Sequence, residues 1–142
     1  MKPFSLASRL IWPAALVVGL PASCDVAPEL MAKFIKVIAT NCGSPGRLDI
    51  QDPTLVKALA NFGVSVDKSS KVAYAASEAE VKTLKAAGKL VVCNRLDLLP
   101  AGGSIAIVEE DAKAVVYLHT GHISASGATV SPAILRLGRQ NR

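Results

Sequence analysis

Histidine is scarce in this chain: His119 and His122 are the only two among 142 residues. With both in one loop, a hydrolytic triad has few ways to assemble. The nucleophile elbow G-x-S-x-G and the redox pair C-x-x-C are absent as well. Strong charge is missing too. Sixteen Lys and Arg against eleven Asp and Glu give a formal net charge of +5. Setting aside Lys2 and Arg9 in the leading segment leaves fourteen basic residues against eleven acidic ones, a charge of +3 scattered along the chain. Such mild, dispersed charge excludes a nucleic-acid binder, which concentrates basic residues on one face. No internal repeat and no second domain can be traced.

The H-x-x-H spacing of His119 and His122 offers a metal two nitrogens, but no neighbouring Cys, Asp or Glu completes a ligand set. They stand as weak loop-site candidates, and neither a metal nor a cofactor is expected. Gly102-Gly103-Ser104 leads into a strand, whereas phosphate loops lead into the N-terminus of a helix, so a turn is expected there. Asp97, Glu109, Glu110 and Asp111 lack the apolar surroundings that lift a carboxyl pKa for acid catalysis, and read as solvated turns. No catalytic residue is assigned.

What the sequence does contain is a strongly patterned hairpin. Ile105 to Val108 and Ala114 to Leu118 are β-rich apolar runs joined by the turn Glu109 to Lys113. Both faces of each run are apolar, so the strands need cover above and below. The preceding chain supplies it. Leu30, Met31, Phe34, Ile35, Val37 and Ile38 form a helical stripe over Pro28 to Thr40. Leu48 to Ile50 reads as a weak strand, and Asp52-Pro53 opens a helix that Gly63 closes. Val64 to Lys71 reads as irregular. Val72 to Ala75 is a strand, Ser77-Glu78-Ala79-Glu80 is a capping box, and Leu90 to Cys93 is a wholly apolar strand. A helical turn over Leu96 to Leu99 leads on to the hairpin. His119 to Thr129 reads as a polar passage, Ser131-Pro132 caps a last helix, and the basic tail frays. Strands and helices alternating through short connections predict one α/β three-layer domain, a mixed sheet of about five strands with helices on both faces.

Residues 1–22 have the layout of a cleaved secretory signal, with basic Lys2 and Arg9, an apolar run from Leu10 to Leu20 and small Ala22. The domain is then 23–142 and the location periplasmic or otherwise exported. Export makes Cys24, Cys42 and Cys93 potential disulfide partners. A helix over Pro28 to Thr40 would hold Cys24 about 20 Å from Cys42, beyond bridging range. Cys42, after a helix, and Cys93, at a strand end, are the candidate disulfide, with two buried thiols as the alternative. Cys24 is also a minor candidate for lipid anchoring, because Pro21-Ala22-Ser23-Cys24 faintly matches a lipoprotein box.

The leading helix Ala32 to Ile38, the Gly-Gly-Ser-Ile-Ala-Ile-Val strand at 102–108, its partner ending in Tyr117-Leu118, Gly127, and Val130-Ser131 before Ile134-Leu135-Arg136-Leu137 resemble the YfiR-like family of small exported bacterial proteins. The match is best from Gly102 to Gly138. The resemblance implies an α/β periplasmic protein without enzymatic activity, which restrains a membrane-bound signalling protein such as a diguanylate cyclase and so lowers cyclic-di-GMP signalling and biofilm formation. The expected partner is that membrane protein, with a homodimer also open. The alternative is a small-ligand or metal-binding module at the open end of the sheet, near Ser77, Asn94, His119 and His122.

Overall fold

The computed structural model describes residues 26–140. Helix α1 spans Pro28–Asn41 and leads to strand β1 at Arg47–Leu48. Helix α2, Pro53–Ala60, is capped by Asp52, whose carboxylate accepts the backbone N–H groups of Thr54 and Leu55. Then come β2 (Ser65–Val66), β3 (Val72–Ala75), α3 (Glu78–Ala86) and β4 (Leu90–Cys93). A 3-10 turn at Leu96–Leu98 precedes the hairpin of β5 (Ile105–Glu110) and β6 (Lys113–Leu118). Helices α4 (Thr120–Ser126) and α5 (Pro132–Leu137) follow, and β7 (Arg139–Gln140) ends the described chain.

Strands β3 to β7 form a five-stranded sheet in sequence order, and β1 and β2 form a parallel pair beside it. A parallel bridge between Asp49 and Ala73 joins the two. Its bonds run from the N–H of Asp49 to the carbonyl of Val72 and from the N–H of Tyr74 to the carbonyl of Asp49, each 3.0 Å. Strands β3, β4 and β5 are parallel, β6 is antiparallel to β5, and β7 is parallel to β6. The array therefore reads β2-β1-β3-β4-β5-β6-β7. From β1 the chain turns one way to β2, and from β3 it runs the other way. That reversal makes the carboxyl ends of β1 and β3 a topological switch point.

Side chains alternate between two cores, as strand geometry requires. Val72, Tyr74, Leu90, Val92, Ile105 and Ile107 face the layer built by α1, α2, α4 and α5, through residues such as Ile35, Leu59, Ile123 and Ile134. Ala75, Val91, Cys93 and Ala106 face the opposite way, against Val81 of α3 and Leu98 and Leu99 of the 3-10 turn. The architecture is the three-layer α/β domain with a mixed sheet read from the sequence.

Four local readings are corrected. Ser65–Val66 is a strand, because β1 offers its backbone a partner that the local sequence does not reveal. The hairpin turn is Asp111-Ala112 alone, both at positive φ (51° and 63°), so each strand is longer than its apolar core. Helix α4 occupies the passage read as polar, started by His119 and stopped by Gly127 in the left-handed conformation. The tail at Arg139–Gln140 adds a strand, and the Arg139 guanidinium reaches Glu110 and the Tyr117 hydroxyl at 3.5 and 3.4 Å.

Candidate functional site

A crevice runs beside α3, from Gln51 and Glu80 at the switch point to Lys68 and Lys89, which precede β3 and β4 at the amino ends of those strands. Its floor is the chain leaving β1, Asp49-Ile50-Gln51, and its wall is the face of α3 that carries Ala79, Glu80, Thr83, Leu84 and Ala87. Lys68, Tyr74 and Lys89 complete a half-open cavity of about 470 Å³. Alternation explains the polar floor. Leu48 and Ile50 turn into the α1–α2 core, which sends Asp49, between them, to the α3 side. Lys89, just before β4, arrives on the same side and its ammonium binds Asp49 Oδ2 at 2.5 Å. Both side chains are largely buried, at 14% and 13% exposure, so the pair is shielded from solvent screening. Lys89 also donates to the carbonyl of Lys68, which ties the segment before β3 to the segment before β4.

Glu80 guards the upper end of the crevice. Ser77 caps α3 by accepting the Glu80 N–H, and Glu80 Oε1 reaches back to the Ala76 N–H at 3.1 Å. Around the carboxyl ends of the strands, Gln51, Asp52, Tyr74 and Glu80 border a smaller hollow, and Asp52 and Tyr74 continue into another lined by Thr54, Leu55 and Asn94. Among the described residues, Asn94 Oδ1 is a buried polar atom without a hydrogen-bond partner. Such an atom costs roughly 1–3 kcal/mol unless a donor reaches it.

Of the positions named from the sequence, Ser77 and Asn94 lie at this end and the histidines do not. Strand β6 runs antiparallel to β5, so His119 emerges at the opposite end, where its N–H donates to the carbonyl of Ser104. His119 Nδ1 accepts the backbone N–H of His122 at 3.1 Å and so caps α4. The His122 Nδ1–H donates to the carbonyl of Gly103 at 2.9 Å. The two rings stack with centroids 3.7 Å apart. In its neutral form His119 then carries its proton on Nε2, so the pair presents a metal with a single lone pair, that of His122 Nε2. Among the described residues no cluster of three His, Cys, Asp or Glu has metal-binding geometry.

The Cys42–Cys93 bridge is also corrected. Cys42, following α1, is buried with the α1–α2 core, while Cys93 points to the α3 side, so the sheet lies between them. Both are free thiols. Burial raises the Cys42 pKa to about 11 and that of Cys93 to about 12. Cys24 and the signal segment 1–22 lie outside the described residues.

The arrangement has a solved counterpart. It is similar to a conserved domain protein from Vibrio cholerae O1 biovar El Tor, with a TM-score of 0.63 at 12% identity over 81% of this chain. The chain spans 60% of that protein's length, and the likeness concerns the fold alone. The ABC domain from Streptococcus pneumoniae solved in complex with L-Trp aligns over 80% of this chain and 61% of its own, at a TM-score of 0.48 and 10% identity. No family model and no curated protein matches the chain.

Sequence reading missed Asp49, Gln51 and Lys89. Asp49 and Lys89 are 40 residues apart, and only the strand register brings them together. One signal was available: a single acidic residue inside the apolar Leu48-Asp49-Ile50 run.

Proposed function

We propose that this chain is an exported, non-enzymatic regulatory protein of the YfiR-like kind, acting in the periplasm by binding the outward-facing part of a membrane signalling protein such as a diguanylate cyclase and restraining it. The observation that carries this reading is an apolar surface on the helical layer. On α1, Leu30 and Val37 are 40% and 47% exposed, with half-buried Phe34 between them. On α5, which packs against α1, Leu135 and Leu137 are 41% and 49% exposed. Large apolar side chains grouped on adjoining helices characterise protein-interaction surfaces more than solvated ones. No helix among the described residues is long and apolar enough to cross a membrane.

The test uses membranes of the producing cell that contain a diguanylate cyclase. Added protein should lower cyclic-di-GMP synthesis and co-purify with the solubilised cyclase, and Leu30→Asp with Val37→Asp should abolish both without unfolding. Unchanged synthesis at saturating protein would sink the cyclase link. Inhibition that survives the double substitution would remove the α1 surface from it.

A further inference from the structure

We infer that the crevice beside α3, whose Gln51 and Glu80 end reaches the switch point, is a binding site for a small zwitterion, a free amino acid. It would lie with its carboxylate toward Lys68 and Lys89 and its ammonium toward Asp49 and Glu80. This goes beyond the docking reading, because the crevice is on the α3 side of the sheet while α1 and α5 cover the other.

Position comes first. In open α/β sheets, ligands settle outside the carboxyl ends of the strands where the strand order reverses, between helices that leave in opposite directions. Here α2 and α3 leave from either side of that point, which is the Gln51 and Glu80 end of the crevice, while Lys68 and Lys89, before β3 and β4, close its other end. The cavity beside α3 measures about 470 Å³, within the roughly 300–1,000 Å³ common for small-molecule sites.

Charge then selects the ligand. Asp49, Glu80, Lys68 and Lys89 line one cavity and their charges cancel. A simple anion would meet two carboxylates, and a simple cation two ammonium groups. A molecule with both charges meets each of its opposites.

Bonding capacity remains on every wall. Asp49 commits Oδ2 to Lys89, leaving Oδ1 for a donor. Glu80 holds Ala76 and Ser77 through Oε1, leaving Oε2. Lys89 uses two of its three N–H groups, on Asp49 and on the carbonyl of Lys68. The Lys68 ammonium makes no ion pair among the described residues. Apolar side chains of Ala79, Leu84 and Ala87 leave room for a side chain that is not charged.

Isothermal titration of the purified protein with each of the twenty common L-amino acids tests the assignment. At least one should bind saturably. Its N-acetyl and carboxamide derivatives, each lacking one charge, should bind about tenfold more weakly or worse. Glu80→Gln keeps an acceptor for the Ala76 N–H and removes only the charge, and Lys68→Gln alters an exposed residue. Each should weaken binding by about tenfold. Thr83→Trp, on the exposed side of α3, should block the cavity and abolish binding while the melting temperature of the free protein holds. Three outcomes would overturn the site: no binding of any amino acid by folded protein at millimolar concentration, blocked derivatives binding as tightly as the parent, or binding that survives all three substitutions. Because Leu30 and Val37 are untouched, failure here leaves the cyclase test standing, and the reverse also holds.

Discussion

His119 starts helix α4 by accepting, through Nδ1, the N–H of His122, and the two rings stack at 3.7 Å. A protonated imidazole has no lone pair to accept with. Burial, with His122 and Lys85 nearby, holds the His119 pKa below the usual 6.5. The folded state therefore binds this proton less readily than the unfolded chain does. Stability is full above pH 6.5 and falls as pH drops below it, toward the lower folded-state pKa. Thermal melts from pH 8 to 5 should show a decline that His119→Asn, a cap without a titrating ring, reduces. His119→Ala should cost about 1 kcal/mol at pH 8 through the lost cap.

Asp49→Asn should destabilise the protein by about 2 kcal/mol, since it leaves the largely buried Lys89 ammonium without its counter-charge. Lys89→Met should cost a similar amount, and the double substitution less than the sum. Urea unfolding of all four proteins gives the coupling. Additive losses would mean that the two residues act separately.

Gly103 is needed for space rather than for its backbone angle. A Cβ there would stand 2.9 Å from Cys93 Sγ and 3.0 Å from the carbonyl oxygen of Leu98. Gly103→Ala should cost about 1–3 kcal/mol by overpacking. Adding Cys93→Ala should recover part of the loss, with the Leu98 carbonyl accounting for the remainder. Denaturant midpoints would show both effects.

Cys42 and Cys93 should resist alkylation in the native protein at pH 8, far below thiol pKa values of about 11 and 12, and label fully on unfolding. Mass spectrometry under non-reducing conditions should find no bond between them. Recovery of that bond in oxidised, folded protein would contradict their placement on opposite sides of the sheet.

The parts of the fold legible in the sequence are those written in short-range signals. Asp52, Ser77 and Ser131 each cap the helix expected of them, and Val72–Ala75 and Leu90–Cys93 are strands with the expected bounds. What escaped notice depends on distant partners or on unusual local choices. Ser65–Val66 becomes a strand only because β1 lies beside it. Histidine is an uncommon helix cap, and the Thr-Gly-His-Ile-Ser run after His119 has weak helical propensity, so α4 left little trace. Ala112 at positive φ hid a tight turn that Asn or Gly would have announced. The crevice was the least legible of all. Ser77 and Asn94 lie at the carboxyl end of the sheet, but neither lines the cavity, whose charges come from segments that only the fold brings together.

At both margins the sheet ends in a strand of two residues, Ser65–Val66 on one side and Arg139–Gln140 on the other. Long β6, which would otherwise present six residues of backbone to solvent, is shielded along part of its length by β7. At the far margin Asp67 and Lys68 follow β2 directly and set charge beside its open hydrogen-bonding groups. The β2 rim offers no template long enough for a foreign strand to join, which is one way β-containing proteins avoid fibrous growth. By contrast, β7 pairs with Tyr117 and Leu118 alone and leaves Lys113 to Val116 of β6 without a strand neighbour on that side among the described residues. Strand addition is thus blocked at the β2 margin, and a foreign strand that joined this sheet would have to do so along Lys113 to Val116.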